Sequence, residues 1–84
     1  MFFTYILHNS FINKYYIGQT QDIDAKLLEL NSRKAKRKFV KKGTVEWKLV
    51  YKEEFENKWD AVIREKYLKS LKSKKDIEDL IMSA

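Results

Sequence analysis

Residues 2–18 leave the chain little freedom. Phe2–His8 is aromatic and β-branched, with no helical repeat. Asn9-Ser10 and Asn13 mark a turn, and Lys14–Gly18 is again strand-like, so the span reads as a β-hairpin. Its second arm, "KYYIGQT", sets two adjacent tyrosines just before a glycine. Register decides their use. With Tyr5 opposite Tyr16, or in any register of the same parity, the two phenols share one face of the sheet. A slip of one residue separates them. Phenols at such positions either cap the rim of a sheet or border a site, and both readings stand at this point.

After Gly18 the apolar period changes. Thr20 or Asp22 can cap a helix, and Asp24 suits its first turn. Ile23, Leu27 and Leu30 then form one helical stripe, with Lys26 at its border and Asn31-Ser32 at its end. Val45–Phe55 alternates, placing Val45, Trp47, Leu49 and Tyr51 on one side, which predicts a third strand with one buried face. Asn57, with Asp60 three residues on, opens a second helix. Trp59, Val62, Ile63 and Tyr67 give that helix an apolar side, and Ala61, Glu65 and Leu68 share another face. Spacing puts Trp47 and Trp59 in the core. Ser73 with Asp76 caps a last helix anchored by Ile77, Leu80 and Ile81. His8 reads as a surface residue at a strand end. The fold class is α+β: a small three-stranded antiparallel sheet flanked by three helices, in the order ββαβαα.

At 84 residues this is one domain, residues 1–84, with a modest core. A chain so short buries only roughly 60–65% of its unfolded surface. There is no cysteine and a single histidine, so disulfides and the usual Cys/His zinc centres are excluded. A metal would have to be a hard ion on carboxylate and water oxygens. No apolar run is long enough to span a membrane and no signal-peptide pattern precedes the fold, so a soluble cytoplasmic protein is expected. The oligomeric state is left open. Charge is uneven: residues 33–42, "RKAKRKFVKK", hold seven basic residues and no acid, more than the whole chain's net +6. Such a run is either a solvated loop or a phosphate-binding surface.

Taken together, the tyrosine hairpin, the helix after it and the carboxylate-bearing helix resemble the GIY-YIG nuclease superfamily. The likeness is closest to its small stand-alone bacterial members, akin to the N-terminal nuclease domain of the DNA-repair excinuclease. The first motif falls on Phe3-Thr4-Tyr5, where only the tyrosine is kept. The second, Tyr16-Ile17-Gly18, is intact and preceded by Tyr15. "WKLVYKEEF" and "DAVIREKYLKSLKSKKDIEDLI" extend the likeness over residues 3–81. The resemblance implies hydrolysis of phosphodiester bonds in DNA with a single divalent ion, Mg2+ or Mn2+, held by Glu65. It sets Tyr5 and Tyr16 beside the attacking water and Lys26 on the scissile phosphate. A tyrosine base would need a cationic neighbourhood, because an ordinary phenol has a pKa of about 10. Arg33, Lys34, Lys36, Arg37, Lys38, Lys41 and Lys42 would hold the flanking nucleic-acid backbone.

Two positions depart from the family pattern. Lys26 stands where the family carries arginine, and a lysine offers one compact charge instead of a planar fork. Leu30 stands where the family usually has histidine or tyrosine. The departures imply weakened activity. The alternative is a nucleic-acid-binding module that has lost its chemistry. Simpler readings stand beside these: Lys26 snorkelling at a helix border, Glu65 paired with Lys69, and the tyrosines as sheet-rim aromatics.

Overall fold

The computed structural model describes residues 1–32, 46–71 and 73–83. Six elements follow in the order ββαβαα: β1 (Phe2–Asn9), β2 (Lys14–Thr20), α1 (Ile23–Ser32), β3 (Trp47–Phe55), α2 (Lys58–Lys69) and α3 (Lys74–Ser83). The strands form one antiparallel sheet with β1 in the middle, the expected α+β architecture. The basic run 33–42 lies outside the described residues.

The hairpin is closed by asparagines. Asn9 Oδ1 accepts hydrogen bonds from the backbone N–H groups of Phe11 (2.9 Å) and Ile12 (3.3 Å), the turn geometry that asparagine favours. Asn13 sits at φ 50°, a left-handed conformation that asparagine tolerates. His8 Nε2 lies 3.0 Å from Asn13 Oδ1, which fastens the turn to β1. Tyr5 pairs with Gly18 and Leu7 with Tyr16. That parity puts Tyr5 and Tyr16 on one face.

That face carries one core cluster, while Ile6, Ala61 and Leu68 are buried on the other. Tyr5, Leu7 and Ile23 are buried together, with Phe3, Tyr16, Leu27, Leu30 and Trp47 packed around them. Of the two candidate caps Asp22 is the one that caps α1, and Thr20 closes the turn before it. Thr20 Oγ1 accepts from Asp22 N–H (3.2 Å), and Asp22 Oδ1 accepts from Ala25 N–H (3.0 Å). Asn31 ties the far end of α1 to β3, accepting from Trp47 N–H at 2.9 Å and donating to Trp47 C=O at 3.2 Å.

The alternation expected along β3 breaks. Leu49 pairs with Leu7, but Tyr51 pairs with Ile6, leaving Val50 as the extra residue. Trp47 and Leu49 therefore face α1, while Tyr51 lies on the opposite face with Glu53. There Arg64 of α2 donates from Nε to Glu53 Oε2 at 2.7 Å, and the Tyr51 hydroxyl bonds to both. All three are partly buried. Arg64→Met is expected to lower unfolding free energy by about 1–2 kcal/mol, between surface and buried ion pairs. Adding Glu53→Gln should recover part of that loss in urea melts. Full additivity of the two changes would mean that the pair is not coupled.

α2 lies on this second face. Thr4 Oγ1 donates to Ala61 C=O at 2.7 Å, and Ala61 and Leu68 are the buried side chains of the helix. Trp59 is therefore not a core residue: it is exposed, with Ile63 and Tyr67. Asn57 caps the helix by accepting from Asp60 N–H (2.9 Å), while its amide donates to the Asp60 carboxylate (3.0 Å). Ser73 caps α3, whose Ile77, Leu80 and Ile81 are only half-buried.

Candidate active site

The site is organised by the bare backbone at Gly18. A Cβ added there would lie 2.6 Å from Tyr5 Oη, 2.9 Å from Tyr5 Cζ and 3.2 Å from Tyr16 Cε1. The Tyr5 ring thus rests directly on the glycine of the second motif. Its neighbour Tyr16 lies 6.2 Å away between centroids, with the planes 20° apart, and meets Trp47 edge-on at 6.0 Å and 71°. Three aromatic rings lock one another. The family resemblance implies that both phenols border a site instead of filling the core. Tyr5 corrects that expectation: the side chain is 1% exposed and belongs to the core cluster. Tyr16, half-buried, is the one at the rim.

Burial pushes the Tyr5 phenol well above the ordinary tyrosine range. Tyr16, the Glu65 charge, a hydrogen bond with Tyr16 and the Glu29 charge push the same way. Tyr5 is a neutral hydroxyl, and among the described residues no cation is a cause of its shift. The carboxylates of two helices are felt at this one phenol. Glu65 belongs to α2, whose Ala61 packs behind the sheet against Thr4, on the face opposite the Tyr5 ring. Its charge nevertheless reaches Tyr5.

Glu65 is also ion-paired. Its side chain is 19% exposed and Oε2 lies 2.9 Å from Lys69 Nζ, the simple i, i+4 pair that helix spacing allows. Lys26, partly buried on α1, has Nζ 3.6 Å from Glu29 Oε2. Glu29 is the member that sequence reasoning missed. Its only sequence signal is a three-residue offset from Lys26, a spacing common on any charged helix. Leu30 fills the core beside Tyr5, Leu7 and Ile23, so burial replaces the polar group that the family pattern would put there.

The structure thus brings Tyr5 and Tyr16 into ring contact and places Glu65 within electrostatic reach of Tyr5. Lys26 joins them through Glu29. The seven basic candidates from Arg33 to Lys42 lie outside the described residues. Among the described residues no group of three or more His, Cys, Asp or Glu side chains could hold a metal ion. A metal held by Glu65 would find fewer than three such side chains around it. That donor set suits a hard ion that keeps most of its waters. No helix among the described residues is long and apolar enough to cross a membrane.

Comparison with known proteins gives two matches. A family model for the GIY-YIG catalytic domain matches residues 1–78. The chain is also similar to the solution NMR structure of the UPF0213 protein BH0048 from Bacillus halodurans. That likeness has 26% identity and a TM-score of 0.60, and covers 98% of this chain and 84% of that one. No curated protein matches.

Proposed function

The chain belongs to the GIY-YIG family, and from that premise we propose that it is a metal-dependent endonuclease hydrolysing phosphodiester bonds in DNA. A GIY-YIG domain implies nuclease-type activity, nucleic-acid binding and the general use of divalent metal ions. We take residues 1–84 as one such domain. What supports the reading most is the stacked Tyr5–Tyr16 pair over Gly18 under the charge of Glu65.

The roles follow from burial and charge. Tyr16 at the rim orients the attacking water. Tyr5, neutral and stacked on Tyr16, holds the Tyr16 ring in place at the rim. Lys26 neutralises the scissile phosphate and must leave Glu29 to do so. Glu65 would hold one divalent ion, magnesium or manganese, in place of its present partner Lys69. Bound there, such an ion supplies charge stabilisation on the leaving oxygen. The basic run 33–42 neutralises flanking phosphates, which makes binding strongly salt-dependent.

The test is incubation with nicked, branched and single-stranded DNA in magnesium or manganese. Cleavage of at least one substrate, lost with chelator, is the expected result. No cleavage of any of them overturns the reading. A second reading, a binding module without chemistry, is favoured by Lys26 held at Glu29 and an apolar, partly buried Leu30 packed against the core. The two separate at Lys26→Arg. A transition-state donor is worth about 10²–10³ in rate, of which the lysine charge keeps a part. Restoring the planar fork should raise the single-turnover rate about tenfold. An unchanged rate in an active parent would show that Lys26 does not touch the phosphate.

A further inference from the structure

The outer side of α2 carries three large apolar side chains four residues apart. Trp59 is 67% exposed, Ile63 50% and Tyr67 54%. They form one ridge of the kind that packs into a neighbouring helix, while the helix buries a different face through Ala61 and Leu68. A contiguous apolar ridge on a surface marks an interaction site. This one is held in shape: the Arg64 guanidinium lies 5.0 Å over the Tyr67 ring and is itself fixed by Glu53 at 2.7 Å. Asp60, Ile63, Arg64 and Tyr67, with Phe55, surround a shallow hollow of about 380 Å³. Those four α2 positions form the i, i+3, i+4, i+7 diamond that receives a knob from a facing helix.

We infer that this ridge docks against the same ridge of a second copy of the chain, about a two-fold axis at Ile63. The order of residues along α2 carries the argument. Counting outward from Ile63, Trp59 in one direction answers Tyr67 in the other, and Asp60 answers Lys66. Two α2 helices lying antiparallel at a shallow crossing angle therefore set each Trp59 beside Tyr67 of the second copy. Each Asp60 meets Lys66 of the second copy, and the two Ile63 side chains meet at the axis. A two-fold interface demands this kind of self-complementarity. A polyanion fits less well, because Asp60 stands on the rim of the hollow.

Size sets the strength. A fully buried aromatic side chain contributes about 150–250 Å², and these residues are half to two-thirds exposed. The ridge thus offers less than the roughly 800 Å² per partner of a standard interface. The dimer is weak, with a dissociation constant on the order of tens of micromolar. The ridge uses none of Tyr5, Tyr16, Lys26 and Glu65.

Sedimentation velocity up to about 500 µM, above that dissociation constant, is expected to show the wild type passing to dimer. Ile63→Asp should weaken association at least about tenfold with unchanged circular dichroism. Asp60→Lys alone and Lys66→Asp alone should each weaken self-association through like charges, whereas an equimolar mixture of the two should recover a heterodimer. Because the chain has no cysteine, Ile63→Cys introduces one thiol, which should cross-link rapidly under mild oxidation. Leu28→Cys, at a residue 72% exposed on α1, should not. A wild type that stays monomeric throughout overturns the inference and leaves the ridge to another partner. So does a dimer that Ile63→Asp leaves untouched, or a charge-swapped mixture that gains nothing.

Discussion

Glu65→Ala is expected to lower DNA cleavage by about 10³-fold or more while leaving the fold intact. The size follows from the donor set. Among the described residues no cluster of three or more acidic or imidazole groups includes Glu65, and in the proposed site Glu65 is the one named protein ligand. Removing it removes the protein's hold on the ion, not one ligand among several. Stabilisation of the leaving oxygen is worth several kcal/mol, and about 4 kcal/mol corresponds to 10³ in rate. Stability should barely move. The partner Lys69 is more than half exposed, so the helix loses only an i, i+4 pair worth about 0.2–0.5 kcal/mol. Binding of uncleaved DNA should hold or tighten slightly, since a negative charge is removed. Single-turnover rates across a manganese titration, beside a thermal melt, separate these effects. If Glu65→Ala cuts within tenfold of the wild type, Glu65 is only the partner of Lys69 and the proposed site is wrong.

Much of the fold was legible because its signals are local. The asparagine turn, the Asp22 and Asn57 caps and the stripe Ile23–Leu27–Leu30 depend on near neighbours, and each is found where the sequence puts it. Two failures share a cause in the third dimension. Along β3 one unpaired residue, Val50, turns Tyr51 and Glu53 to the other face, and nothing in "WKLVYKEEF" announces it. On α2 the large residues looked like the core face, yet the helix buries Ala61. The Thr4 hydroxyl reaches the Ala61 carbonyl at 2.7 Å, so helix and sheet approach too closely for an indole between them. The tyrosine pair was legible up to a choice of register. Glu29 was not, because its influence on Tyr5 comes from the packing of α1 on the sheet. The ring-on-glycine contact was likewise invisible, although the glycine itself stood in the motif.

That contact yields the sharpest test of the site, because its expected sign is opposite to the general rule. Glycine inside a strand is usually a weakness, and replacing it by alanine normally stabilises by about 0.4–1 kcal/mol. At position 18 the reverse is expected: Gly18→Ala should destabilise by about 1–3 kcal/mol. The new methyl would stand 2.6 Å from Tyr5 Oη and 2.9 Å from Cζ. Neither atom can swing away cheaply, since Tyr5 is buried, paired on the central strand and stacked on Tyr16. For a chain of this size each kcal/mol shifts Tm by about 4–8 °C. Activity should fall further than stability, by about 10²-fold, because displacing the Tyr5–Tyr16 pair by about 1 Å misplaces the groups around the water. Tyr5→Phe in the Gly18→Ala background separates the two losses. It deletes the closest atom but keeps the ring, so part of the Tm should return while cleavage stays low. A Gly18→Ala protein that melts at or above the wild type would mean that the ring does not rest on this backbone, and the site would lose the surface on which it is built.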